Sequence, residues 1–153
     1  MPRRRRTIGD VVAIPLESDW YGFGRVLDEP LIAFYDCRHK GYDLSISAIT
    51  QCPVLFSIWV MNKAVTQGIW QVIGNMPVEA KLSNKPWFYK KDLISGKLYK
   101  TRGGTEEILT IKDDCVGLES AAVWSPEHVV DRLNDHFAGR PNKWVKSLSL
   151  DSE

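Results

Sequence analysis

Cysteine is scarce in this chain. The three residues Cys37, Cys52 and Cys115 are odd in number and show no CxxC spacing, which favours reduced thiols in a cytoplasmic protein over a disulfide framework. Long apolar runs are missing too: the longest, Pro53–Met61 (PVLFSIWVM), has nine residues, well short of the ~18 of a membrane span. The basic run Arg3–Arg6 does not open an export signal, because Pro15 breaks the apolar stretch Val11–Leu16 that follows it and no small-residue cleavage site appears. Glycine is not arranged for phosphate binding either. Gly22-Phe23-Gly24 lacks the third glycine of a dinucleotide fingerprint and lies within a strand pattern, where curvature is the expected role.

Histidine is equally sparse. Cys37 and His39 are two apart, residues at that spacing in a strand share a face, and a metal pair or a nucleophile–base pair can be built on it. No second ligand pair accompanies them, and His128 and His136 are eight apart with no residue placed to orient either. We therefore assign no catalytic, metal-binding or cofactor-binding residue and expect a protein that is not an enzyme.

What is present is β-forming. With 153 residues, 44% apolar and 25% charged, the chain suits one globular domain. Strands are predicted at Val11–Leu16, Trp20–Leu27 and Leu31–Tyr35, with a turn at Glu17–Asp19 and another at Asp28-Glu29-Pro30. Connections this short imply an antiparallel meander. Pro53–Met61 reads as a central strand covered on both sides and Ile69–Ile73 as the next strand. Pro86–Lys91 and Lys97–Thr101 form a predicted hairpin, with Thr105–Leu109 beside it. Thr110 is placed to cap one helical turn over Ile111–Cys115, and Leu118–Trp124 reads as a strand. A helix of about 13 residues then follows, with Ser125 as N-cap, Pro126 at its first position, Val129, Val130, Leu133 and Phe137 on one face, and Gly139 as its stop. The expected fold is mainly β (α+β): an antiparallel meander forming a strongly bent sheet or SH3-like partial barrel, with the C-terminal helix packed on it. Residues 1–7 are expected to be a basic disordered tail, 8–145 one domain and 146–153 a C-terminal tail.

Charge is unevenly spread. The net charge is +1, but Arg3–Arg6 supply four of the positives. Lys81–Arg102 holds seven basic residues and one acid, and Glu106–Asp135 holds eight acids and two bases. Three readings follow. Trp87, Phe88, Tyr89 and Tyr99 interleave with the basic residues, as in proteins that stack bases while gripping phosphates. The acidic segment could instead meet a basic partner. Or the two segments pair with each other inside the fold.

The blocks GDVVAIPL, YGFGRVL, PLIAFYD, IWQVIGNMP, PWF and CVGLESAAVWSPEHVVDRL, in this order, resemble the immunity protein 26 family of bacterial polymorphic toxin systems. That resemblance implies a mostly-β, non-enzymatic cytoplasmic protein whose partner is a cognate toxin domain, often a nuclease, neutralised by binding. A nuclease has a positive cleft for its substrate, so occlusion by an acidic surface is the expected mechanism. Asp113, Asp114, Glu119, Asp131 and Asp135 are the candidates for the charged part of the interface, and Trp20, Tyr21 or Trp124 for an aromatic anchor if exposed. The rival class is a nucleic-acid-binding or ribonuclease-type SH3-like barrel, and nucleic acid is an expected partner only there.

Overall fold

Strict alternation along Asp10–Pro15 (β1) sends Val11 and Ala13 to one side and Val12 and Ile14 to the other, and all four are fully buried. This strand therefore needs cover on both faces. The structure, a computed structural model, describes residues 5–41, 43–103 and 106–150. A 3-10 turn at Glu17–Asp19 leads into Tyr21–Val26 (β2), followed by Leu31–His39 (β3), the short helix Ile46–Thr50 (α1), Val54–Val60 (β4), Lys63–Thr66 (α2) and Gln71–Asn75 (β5). A second group of strands comprises Phe88–Lys91 (β6), Leu98–Arg102 (β7), Glu106–Thr110 (β8) and Glu119–Ser120 (β9). Val123–Trp124 (β10), Pro126–Ala138 (α3) and Lys143–Leu148 (α4) complete the described elements.

Two sheets result, a six-stranded one in the order β10-β4-β3-β2-β1-β5 and a four-stranded one in the order β8-β7-β6-β9. The mainly-β class with a helix on the sheet is as the sequence predicts, but the larger sheet is open and does not close into a barrel. Register shifts between Val11 and Val12, Gly22 and Gly24, and Phe34 and Tyr35 bend it. Gly24 is needed where it stands: a Cβ there would lie 3.3 Å from the Ala33 carbonyl oxygen.

Side chains of α2 and α3 cover one face of the larger sheet, where Val12, Ile14, Phe34, Ile58, Trp70 and Leu133 form the principal core. On the other face α1 lays Ile49 against Val11, Ala13, Phe23 and Tyr35. The smaller sheet joins through Phe88, which packs with Leu27, Leu31 and Ala33 and lies 4.6 Å from Trp59 by ring centroids. Each fully buried side chain of this size contributes about 1.5–3 kcal/mol.

Several expectations are corrected. The apolar run at β4 is only half-buried along most of its length, because its outer neighbour β10 pairs with it over two residues alone. The predicted strand Leu118–Trp124 is two strands, one in each sheet. β9 pairs parallel with β6 and β10 pairs parallel with β4, so the meander is not purely antiparallel. Thr110 does not cap the turn at Lys112–Cys115; Ile111 occupies that position without a side-chain cap. The C-terminal tail expected from residue 146 begins inside α4, which Asn142 caps through its side-chain oxygen and the Val145 N–H at 2.9 Å. Trp144 holds α4 down by stacking 3.6 Å from the ring of His128. Arg6, placed in the basic tail by its sequence, donates to the carbonyls of Leu27 at 2.6 Å and Leu31 at 2.7 Å. Arg3 and Arg4 lie outside the described residues.

Candidate partner-binding surface

Beyond its junction with the larger sheet, the smaller sheet extends as an arm whose outermost strand, β8, is exposed at four of its five residues. The β6–β7 turn at its end is built by Asp92, whose carboxylate accepts the backbone N–H of Ile94 at 2.8 Å and of Ser95 at 3.3 Å. Those two N–H groups, Ile94 first, hold the Asp92 carboxyl below the usual carboxylate range. Gly96, at φ +73°, takes the left-handed position that closes the turn. The outcome is unusual for a tight turn: Leu93 is 97% exposed and Ile94 99% exposed. At the same end of the sheet, where Leu98 pairs with Thr110, the chain leaves β8 through Ile111 and reaches Val116, both exposed.

The two oppositely charged segments meet at two ion pairs of the arm. Lys90 pairs with Glu107, and Arg102 reaches Glu106 with both carboxylate oxygens at 3.1 Å. Lys100 and Arg102 also lie over the Trp87 ring, at 5.3 and 4.5 Å from its centroid. Lys85 turns to Asp28 at 3.5 Å, and Lys81 donates to the Cys52 carbonyl at 2.8 Å. The basic stretch is therefore mostly engaged in holding the arm and the 77–86 loop in place.

The predicted interface residues divide into three sets. Asp113 and Asp114 are exposed between Ile111 and Val116. Glu119, Asp131 and Asp135 have internal work. Glu119 forms a two-bond pair with Arg132 at 2.8 Å, Asp131 accepts from Trp144 Nε1 at 3.0 Å, and Asp135 accepts from Arg140 Nε at 3.0 Å and Asn142 Nδ2 at 2.9 Å. Among the aromatics, Trp124 is only 5% exposed and sits in the core beside Val129, which removes it as an anchor. Tyr21 is half-buried against the α1-side core. Trp20 is half-buried beneath Arg38 and Lys40, at 4.1 and 4.8 Å from its ring. The exposure of Leu93 and Ile94 is not anticipated by the sequence reading. The signal for them was two large apolar residues between Asp92 and Ser95-Gly96, where a turn leaves side chains nothing to pack on.

The Cys37–His39 pair is not assembled for chemistry. Cys37 faces Cys52 within the α1-side core, and burial, followed by the Cys52 contact, raises its thiol far above the usual range. His39 lies instead 3.2 Å from Asp43. Among the described residues no group of three or more His, Cys, Asp or Glu side chains is arranged to hold a metal ion, and no helix is long and apolar enough to cross a membrane. An apolar cleft of about 250 Å³ opens where the two sheets meet, lined by Pro30, Leu31, Trp59, Pro86 and Phe88. It carries no convergent set of titratable groups beyond the Asp28–Lys85 pair and Glu29 at its rim.

A family model described as immunity protein 26 matches residues 7–100, which hold β1 to β5 and the first strand of the arm. No curated protein and no solved structure matches the chain.

Proposed function

The chain belongs to the immunity protein 26 family, and from that premise we propose that it is the antidote to one bacterial toxin domain of a polymorphic toxin system, acting in the cytoplasm of the producing cell. It binds that domain and covers its active site, and it makes or breaks no covalent bond. The match over residues 7–100 carries this reading. The lack of an assembled nucleophile–base pair at Cys37 and His39 supports it.

The toxin it fits best is one with a basic cleft, such as a nuclease. Asp113 and Asp114 supply negative charge for such a cleft, because they stand exposed at the end of the arm while Glu119 and Asp135 are taken up by arginines. The electrostatic part of the interface therefore narrows to this pair, with Asp131 beside it only if Trp144 releases it.

Co-expression with the toxin domain encoded by the neighbouring gene tests the proposal. Growth should be restored, and the two proteins should co-purify as a stable complex. Lack of both rescue and complex defeats it. So would RNA cleavage by the purified protein alone, abolished by one polar substitution that leaves the fold intact.

A further inference from the structure

We propose that the far end of the arm is the docking surface for the toxin: the β6–β7 turn with Leu93 and Ile94, and the β8 edge continuing through Ile111 to Val116. This rests on the reading of the chain as an immunity protein and specifies where that activity resides.

Exposure points there first. Of the eleven large apolar residues exposed among those described, six (Leu93, Ile94, Ile108, Leu109, Ile111 and Val116) lie on this arm. Exposed apolar side chains gathered on one projection mark contact surfaces more often than chance. Their presentation is also ordered. The Asp92 carboxylate pins the turn that displays Leu93 and Ile94, so little conformational freedom remains to be lost when a partner closes over them. β8 is the outermost strand of its sheet. It therefore has outward-facing backbone N–H and C=O groups with no neighbouring strand, an arrangement natural proteins seldom leave uncovered next to apolar residues.

The surface has the make-up of a protein contact. Within the arm Lys90 is offset by Glu107 and Arg102 by Glu106, exposed Lys91 and Lys97 flank the Leu93–Ile94 turn, and exposed Lys112 stands beside Asp113 and Asp114. An apolar centre rimmed by exposed charges of both signs has the anatomy of a protein–protein interface, as a toxin domain requires. The family match ends at residue 100, within β7, so the Leu93–Ile94 turn lies inside it and β8 with the Ile111–Val116 stretch lies past it.

The experiment uses the full chain and the purified toxin domain from the adjacent gene, in catalytically dead form, by titration calorimetry and by growth rescue with the active form. Leu93→Ser/Ile94→Ser and, separately, Ile111→Ser/Val116→Ser should each weaken binding about 30-fold or more, with unchanged circular dichroism because these side chains are mostly exposed. Ile69→Ser, at an exposed position before β5, should bind like the unaltered protein. Asp113→Lys/Asp114→Lys should slow association and flatten its salt dependence. If the unaltered protein binds and rescues while both apolar pairs bind as well as it does, the docking surface is wrong and the antidote function stands. If the unaltered protein does not bind the toxin, the functional reading itself fails. A dimer in analytical ultracentrifugation that the apolar substitutions dissolve, with toxin binding intact, overturns the proposal and assigns the surface to a second copy of the chain.

Discussion

Arg25 is the most demanding residue in the molecule. It is fully buried in β2, yet its guanidinium pairs with Glu79 and donates to the Pro77 carbonyl at 2.7 Å. Tyr35 Oη donates to the other oxygen of Glu79 at 2.7 Å, and burial, followed by that hydrogen bond, raises the Tyr35 hydroxyl above its ordinary range. The trio fastens the 77–82 loop to the larger sheet. Removing one partner leaves a charge in the interior, so Glu79→Ala should destabilise the fold by about 3–5 kcal/mol, read as a lowered urea midpoint with an unchanged slope. Arg25→Met/Glu79→Leu together should recover much of that loss, since no unpaired charge remains. Equal losses in the single and double variants would show that the pair contributes through packing alone. None of this was legible in the sequence. Alternation in YGFGRV places Arg25 inward, but nothing local supplies an acid 54 residues away.

At the scale of elements, the β6–β7 turn couples charge state to shape. The Asp92 carboxyl titrates below its ordinary value because the folded turn donates two N–H groups to its ionised form. The turn therefore has its full stabilisation above the unfolded-chain value and loses it as pH falls through the lower, folded one. The amide resonances of Ile94 and Ser95 should shift with a midpoint below that of a free aspartate and stay flat above it. Asp92→Asn should abolish the titration. A midpoint at or above the ordinary value would mean that the carboxylate does not hold the turn. Elements with strong local signals were readable. The cap at Ser125, Pro126 and the left-handed Gly139 bound α3 as expected, because each acts within a few residues. α4 was not readable, since six mixed residues carry too little periodicity, and Trp144 holds it through His128 and Asp131 on another helix. The candidate interface followed the same division. Runs of acid were visible in the sequence, but the arginines that engage Glu119 and Asp135 were not.

For the molecule as a whole, the two sheets are joined by residues 119–124, and here the sequence misleads for a physical reason. LESAAVW has no turn signal, yet the chain bends at Ala121, where the Ala122 N–H donates to the Ser120 carbonyl at 2.8 Å. Ala121 donates to the Tyr89 carbonyl at 2.8 Å while Met61 donates to that of Trp124 at 3.0 Å, so the chain leaves one sheet and enters the other within two residues. Ala121→Pro deletes the bond to Tyr89. It should lower the melting temperature and split one calorimetric transition into two, the arm melting first. A single transition in that variant would show that the sheets are held together by the Phe88 contact instead. The segment acts as a tendon. Tension applied at the tip of the arm runs along six residues into the flank of the main body, so whatever the arm holds is moored to the whole protein, and wrenching it free means peeling β10 away from Trp59 and Val60 as well.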